Sequence, residues 1–220
     1  MKLSFLLEQA RNGELAVFSD KDKTDDKIVG YINLALIALH SRFQLATEEA
    51  IVRLRPDIPK TIYTMDSTDA DVRVGGQAMQ DDQFMSIVSA YNEDGSEIVV
   101  NDDKSPYSIL TVSYNQVQVP LLAESTYVSV IYRCNPSLLA PVYDSTGNAI
   151  DTDIRLPMQL LEPLLHYVGY RAHGSIDGKL TTENNSHYTR YDAACKRVED
   201  LGLLTSDDTS HDSVQKRGYV

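Results

Sequence analysis

The segment between Thr24 and Phe43 places the strongest constraint on how this chain can fold. Its apolar residues recur at intervals of three and four, which is the spacing of one face of an α-helix. Thr24 and Asp25 suit the start of a helix, because polar and acidic side chains there stabilise the free backbone N–H groups. We therefore predict a helix over 24–43. Its buried face comprises Ile28, Ile32, Leu36 and Leu39.

Helical periodicity returns in the last third of the chain. One helix is expected to open near residue 156, and a last helix to run over about 182–201. Pro163 should kink the first of these helices or shift its start, because proline has no backbone N–H to donate. A turn is predicted over 174–178, between the two glycines. The inward-facing residues of the two helices are Leu160, Leu164, Val168, Tyr191 and Val198.

Residues 48–134 have the pattern of β-strands. Short runs rich in valine, isoleucine and tyrosine alternate there with turn residues. Asp94-Gly95 predicts a hairpin, because glycine tolerates the positive φ angles of tight turns. The segment 66–82 is rich in aspartate, glycine and glutamine and is expected to be an irregular loop. The predicted strands cover 49–55, 61–65, 84–91, 97–100, 108–113, 116–119 and 127–133.

These patterns predict an α+β fold, in which an antiparallel bundle of about four helices carries an inserted antiparallel β-rich module. The first helix of the bundle is expected over Leu3–Ala10. The two early helices cannot cover their apolar faces alone, so we expect them to pack on the last two. The expected parts are 1–47 for the first half of the bundle, 48–134 for the β-module, 135–202 for the second half and 203–220 for an extended polar tail.

Charge and cysteine content narrow the classes of function. The 220-residue chain has a formal net charge of −12, whereas general affinity for nucleic acid comes from lysine and arginine. Cys134 and Cys195 lie in no metal-binding spacing and are expected to be free thiols. Apolar runs are too short to cross a bilayer, and charges interrupt the first apolar stretch. We therefore expect a soluble protein without a signal peptide.

Few residues offer candidate sites for chemistry. His166 and His173 share a helix face but lie seven residues apart, whereas metal-binding pairs usually lie three or four apart. The acidic residues of 66–82 can hold a cation, but a solvated loop is the simpler interpretation. Asp151 and Asp153 can form an acid–base pair, although we favour a role in helix capping. Nucleophile and phosphate-binding motifs do not occur, so we expect no enzyme, no bound metal and no cofactor.

Three stretches together resemble the head-to-tail adaptor family of short-tailed phages, the tail tubular protein A-like proteins. The first is TDDKIVGYINLALIALHSRF, an acidic cap followed by an aromatic-isoleucine-asparagine helix. The second is FMSIVSAYNEDGSEIVVND, a hairpin with an Asp-Gly turn. The third runs from YVSVIYRCNPSLL through IRLPMQLLEPLLHYVGYRAH to the tyrosine-bearing last helix. The resemblance spans roughly residues 3–201.

The resemblance implies a structural virion protein. Such adaptors form a ring, usually of twelve copies, that binds the portal protein and receives the next tail or nozzle protein. Double-stranded DNA crosses the ring without specific binding. The protein would be assembled in the host cytoplasm and lie at the head-to-tail interface, away from any membrane. A C-terminal segment usually clasps the portal. In this chain the implied portal contacts are Val214, Lys216, Arg217, Tyr219 and Val220.

Two features depart from the family pattern, namely Pro163 within the third helix and the length of the acidic segment 66–82. A second hypothesis is a monomeric glycan- or protein-binding module of a tail or baseplate, with the β-region as the binding part. A third is a hydrolase that uses Asp151 and Asp153. Ring formation or binding to a portal distinguishes the first hypothesis from the other two.

Overall fold

The computed structural model describes residues 1–55, 60–120, 125–140, 142–143, 149–177 and 182–204. The chain divides into two compact units, Met1–Leu45 with Leu138–Val220, and Ala46–Ser137. We call the first the helical unit and the second the β unit. In the part of the chain that the structure describes, no helix is long and apolar enough to cross a membrane.

Four α-helices lie in the described part of the helical unit. They are α1 (Leu3–Asn12), α2 (Asp25–Arg42), α3 (Leu161–Asp177) and α4 (Thr182–Asp200). A 3₁₀ turn, Met158–Leu160, precedes α3. Because α3 packs against α1, α2 and α4, the four helices share one core.

The described strands are short, and each pairs antiparallel with its neighbours. They are β1 (Thr47–Arg53), β2 (Ile62–Thr64), β3 (Val72–Val74), β4 (Gln77–Ala78), β5 (Phe84–Asn92), β6 (Glu97–Ile98), β7 (Leu110–Ser113), β8 (Gln116–Gln118), β9 (Tyr127–Cys134), β10 (Val142–Tyr143) and β11 (Ala149–Ile150). Strands β10 and β11 pair with each other in the helical unit.

The β unit contains two sheets that share a core. The larger sheet has the order β4-β3-β1-β9-β5-β6, and the smaller has the order β2-β8-β7. Strand β9 lies between β1 and β5 and is buried along most of its length, which explains its nearly continuous apolar sequence. Val130 on β9 pairs with Ala50 on β1. Val130 and Ala50 pack in one cluster with Tyr63 and Val117 of the smaller sheet.

The predicted fold class, a helical bundle that carries an inserted β-module, is wrong. Eleven strands accompany the four α-helices in the described residues, and six of them form a single sheet. The buried residues of the strands form their own hydrophobic cluster, distinct from that of the helices. Most of the strands are short, but pairing joins six of them into one sheet with a full core. An α+β description therefore applies only loosely.

The prediction for Pro163 is confirmed. The α-helix begins at Leu161, two residues before the proline, after the 3₁₀ turn. Pro163 consequently lies in the first turn of α3, where a backbone N–H has no partner within the helix. The helix thus starts at Leu161 instead of near residue 156, and it continues without a break to Asp177.

Two predictions of irregular structure are wrong in part. Strands β3 and β4 form a hairpin within 66–82, joined by Gly75 and Gly76 at φ angles of +56° and +81°. Two successive positive φ angles are those of a tight hairpin turn, which glycine adopts without strain. The predicted turn over 174–178 is also wrong at its start, because α3 continues to Asp177. Packing of α3 against α4 outweighs the helix-weakening effect of Gly174.

Candidate functional site

Helix α2 exposes a row of apolar and small residues opposite its buried face. The row consists of Gly30, Leu34, Ile37 and Ser41, whose spacings of four, three and four place them on one side of the helix. Leu34 is 38% exposed and Ile37 is 40% exposed. We call these four residues the α2 stripe. Because both sides of this helix carry large aliphatic side chains, its sequence is that of an element buried all round.

Gly30 has no evident packing role within the chain. A Cβ atom built at Gly30 would meet no heavy atom within 4 Å outside its own helix. Glycine within a helix costs about 0.5–1 kcal/mol relative to alanine. A small residue next to Leu34 allows another backbone to approach α2 closely. The α2 stripe therefore has the composition of a contact surface.

A second, partly exposed surface lies on α3 and α4 and is aromatic. Tyr167, Tyr170, Tyr188 and Tyr191 form a chain of ring contacts with centroid separations of 5.0–5.8 Å. Tyr191 is buried, whereas Tyr188 is 50% exposed. Tyrosine combines apolar contact area with a polar hydroxyl, which suits surfaces that meet another protein.

The structure places the core residues named from the sequence in one hydrophobic cluster of the helical unit. All nine are buried, namely Ile28, Ile32, Leu36, Leu39, Leu160, Leu164, Val168, Tyr191 and Val198. The residues named as portal contacts, Val214, Lys216, Arg217, Tyr219 and Val220, lie outside the described residues.

Glu14, His166 and His187 meet in the helical unit although they come from three separate segments. Glu14 follows α1, His166 lies on α3, and His187 lies on α4. The Oε1 atom of Glu14 lies 2.9 Å from Nδ1 of His166, and Oε2 lies 2.9 Å from Nδ1 of His187. All three side chains are less than 20% exposed. Imidazole nitrogens and carboxylate oxygens in such proximity form a candidate metal centre.

Gly169 makes this convergence possible. It lies one turn after His166 on α3, and a Cβ atom at Gly169 would lie 2.8 Å from Nδ1 of His187 and 3.2 Å from Cβ of Glu14. These distances are shorter than van der Waals contacts, so a larger residue would displace both side chains. We call Glu14, His166, Gly169 and His187 the Glu-His cluster.

His173 also contributes to the surroundings of the Glu-His cluster. Its ring stacks on that of His187 with a centroid separation of 4.7 Å, and Phe18 packs against His173 at 4.6 Å. Burial lowers the pKa of His187 below its ordinary value, although the Glu14 carboxylate opposes this shift and positive groups nearby support it. His187 is therefore predominantly neutral at neutral pH, which is the form that binds metals.

The sequence pointed to His166 and His173 as a pair, whereas Glu14 and His187 were not predicted. The structure brings His166 to Glu14 instead, and brings His173 to His187 as a stacking partner. Residue spacing identifies ligand pairs within one helix, but it carries no signal for residues on separate segments. Gly169 was the one local clue, because a glycine inside a regular helix often marks a close approach.

Asp151 and Asp153 stabilise the start of α1. Asp151 accepts hydrogen bonds of 2.9 Å from the backbone N–H and from the hydroxyl of Ser4, and Asp153 forms an ion pair with Lys2. The backbone hydrogen bond from Ser4 is the largest cause of a lowered pKa at Asp151. The interpretation as capping residues thus fits, but the helix they cap is α1 rather than the helix that follows them in sequence.

The acidic residues of 66–82 are engaged with neighbouring donors. Asp69 and Asp71 both form ion pairs with Lys60. Asp66 and Asp81 accept hydrogen bonds from the backbone N–H groups of Thr68 and Ser67, respectively. These carboxylates therefore organise the segment, which is why a sequence rich in charge has a defined structure there.

A cavity of about 280 Å³ opens on the surface of the β unit. Carboxylate and amide side chains line much of it, and Tyr114, which is 81% exposed, lies at its edge. The lining residues are Met65, Asp66, Thr68, Asp81, Asp82, Phe84, Tyr114, Asn115 and Asn135. Such a mixture of acceptors, donors and an aromatic ring can bind a polar organic molecule.

Comparisons with protein-family models and with curated proteins assign no family and no function to the chain. No protein-family model matches the chain. No curated protein matches it at a significant level. The resemblance to head-to-tail adaptors stays a prediction that rests on the three stretches quoted above.

Proposed function

We propose that this chain is a non-enzymatic subunit of an adaptor ring that joins the portal of a tailed-phage particle to its tail. The α2 stripe is the observation that carries the proposal. It exposes Leu34 and Ile37 on a helix whose other face is already buried in the core. A second copy of the same chain is the occupant that the adaptor hypothesis requires for this surface.

Ring formation needs two different contact surfaces on each subunit, because a head-to-tail interface pairs unlike patches. The α2 stripe offers the first surface. The tyrosines around Tyr188 on α4 offer the second, with large apolar area and hydroxyl groups. Repetition of one such contact around a closed circle gives a ring without any change in the fold of the subunit.

The net charge of −12 supports the role as a channel component. A surface of negative charge repels the phosphate backbone, so DNA can cross a ring of such subunits without adhering to it. Portal binding is assigned to the segment that carries Val214, Lys216, Arg217, Tyr219 and Val220. Its two adjacent basic residues are flanked by apolar ones that can anchor in a groove.

The decisive experiment compares oligomeric state and portal binding in matched variants. The full chain, alone and mixed with purified portal, is studied by native mass spectrometry and negative-stain imaging. We expect a closed ring on the portal. Leu34→Glu and Ile37→Glu place a charge in the α2 stripe and should prevent ring closure, while circular dichroism remains unchanged.

Val17→Glu is the matched control, because Val17 is 81% exposed in the same unit and lies outside the α2 stripe. It should form rings as the unaltered chain does. Deletion of 205–220 should abolish portal binding. A chain that stays monomeric and does not bind the portal would refute the proposal. Rings that form equally well with Leu34→Glu and Ile37→Glu would also refute it.

The cavity of the β unit favours one alternative, a monomeric glycan-binding module. Exposed Tyr114 can stack against a sugar ring, and Asp81 and Asn115 can hydrogen-bond to its hydroxyl groups. A glycan array followed by calorimetry tests this alternative. Binding by the monomer that is lost in Tyr114→Ala and retained in Leu34→Glu would favour the glycan module over the ring.

A further inference from the structure

The Glu-His cluster contains a ligand set that suits transition metals. Two imidazole nitrogens and one carboxylate are the protein ligands in many zinc sites, with a fourth position left for solvent. The three ligand groups lie within 4.8 Å of one another. A tetrahedral ion with bonds of about 2.1 Å needs ligand atoms roughly 3.4 Å apart. The two observed 2.9 Å separations join His166 and His187 to different oxygens of Glu14, and each of these pairs would open by about 0.5 Å to admit the ion.

The surroundings of His187 indicate independently that a cation binds here. Its Nδ1 atom is buried and has no hydrogen-bond partner among the described residues, although Oε2 of Glu14 lies 2.9 Å away. The two atoms are close enough for an ion pair but are not aligned for a hydrogen bond. Buried polar atoms in native proteins almost always have a partner. A cation between the imidazole lone pair and the carboxylate would satisfy both atoms at once.

The surrounding residues hold the ligands in place. Gly169 leaves the space into which His187 and Glu14 project. The ring of His173 stacks on His187 and limits its rotation. On the other side, Oε1 of Glu162 lies 3.6 Å from Nε2 of His166. This separation is too long for a hydrogen bond, and the same oxygen accepts one of 2.7 Å from Arg197, so Glu162 adds negative charge near the ring without fixing its orientation.

Charge at the cluster also favours a cation. Among the described residues, the ion-pair partners of Glu14 are the two histidines. Arg190 lies near His187 and adds positive potential, which opposes cation binding in part.

We propose that Glu14, His166 and His187 bind one divalent transition-metal ion of the zinc type, which fastens the segment after α1 to α3 and α4. The ion would join three segments that lie far apart in the sequence, and its binding would therefore stabilise their packing. Zinc is a better match than magnesium, since nitrogen ligands suit zinc whereas magnesium prefers oxygen. This site is independent of ring formation.

The test uses the full, untagged chain after treatment with a chelator. Calorimetric titration with zinc chloride at neutral pH should show one ion bound per chain, and magnesium chloride should show none. Cobalt(II) should give visible absorption bands typical of a site with nitrogen ligands. Zinc should also raise the thermal unfolding midpoint of the chain.

Glu14→Gln and His187→Gln should each lower zinc affinity by about tenfold or more, which is the loss that even outer-shell substitutions cause. Glu8→Gln is the matched control, because Glu8 is exposed on α1. His211→Gln tests for binding in the C-terminal segment. The proposal is overturned if the unaltered chain binds neither zinc nor cobalt. It is equally overturned if Glu14→Gln binds zinc normally, or if His211→Gln alone removes the binding. If Glu14→Gln fails to fold, His187→Gln and the cobalt spectrum of the unaltered chain still test the assignment, and absence of binding to the unaltered chain overturns it.

Discussion

The Nζ atom of Lys60 donates a hydrogen bond of 2.6 Å to Oδ1 of Asp69, whose side chain is 7% exposed. The backbone N–H groups of Thr64 and Asp71 donate to the same carboxylate. Burial by itself would raise the pKa of Asp69, but these hydrogen bonds outweigh it and lower the pKa below its ordinary value. One ionised carboxylate thus joins β2 to the segment that precedes β3.

Asp69→Asn should destabilise the β unit in a pH-dependent way. Because the folded-state pKa is lower than the unfolded one, the ionised carboxylate stabilises the fold above pH about 4, and this contribution is lost as pH falls through the folded-state pKa. We expect a loss of about 2 kcal/mol near pH 7 that shrinks toward about pH 3. Chemical unfolding and amide exchange at Thr64 measure it. Asp103→Asn, at an exposed position, is the control, and an equal loss at both pH values would contradict the assignment.

Gly30 and Gly169 form a matched pair of helical glycines with opposite expectations. Gly30→Ala should stabilise the isolated chain by about 0.5–1 kcal/mol, because alanine favours the helix and its Cβ would meet no heavy atom within 4 Å outside its own helix. Gly169→Ala should destabilise the helical unit, because its Cβ would lie 2.8 Å from His187. Thermal unfolding of dilute samples compares the two variants. A gain in stability for Gly169→Ala would show that His187 can move away freely.

Arg42 connects the end of α2 to α4. Its guanidinium donates hydrogen bonds of 2.7 and 3.2 Å to Glu199 and of 2.8 Å to Asp192, and these contacts raise the pKa of Arg42 further. Arg42→Met should lower the unfolding free energy of the helical unit by about 2 kcal/mol. Arg42→Lys should restore only part of it, because lysine cannot bind a carboxylate through two parallel hydrogen bonds. Chemical unfolding checks both, and full stability in Arg42→Lys would disprove the bidentate role.

Cys134 and Cys195 should be unreactive in the folded protein. Burial is the largest cause that raises the pKa of each thiol to about 11, and both side chains are buried. At about pH 8 the reactive thiolate is therefore scarce. A colorimetric thiol reagent should modify neither cysteine in the native chain and both after denaturation. Rapid modification of one thiol in the native chain would mean that local unfolding exposes that cysteine to solvent, and would contradict the prediction.

The elements themselves were largely predictable because their signals are local. The helical spacing of Ile28, Ile32 and Leu36 identified α2 and its buried face. Asp94-Gly95 identified the β5–β6 hairpin, in which Gly95 has a φ angle of +83°. Pro163 indicated the shifted start of α3. Each of these features depends on residues within a few positions of one another, so the sequence of a short segment is enough to predict it.

The amino-acid sequence by itself determined which segments are helical, where the β unit lies along the chain and which helix faces are apolar. Tertiary structure decided the order of the six-stranded sheet, the pairing of Arg42 with Glu199 and the meeting of Glu14 with His166 and His187. The physical reason is that strand order and side-chain convergence depend on the packing of segments far apart in the chain. Periodicity and spacing report the local geometry of one segment, whereas a site shared by three segments exists only once the core has brought them together.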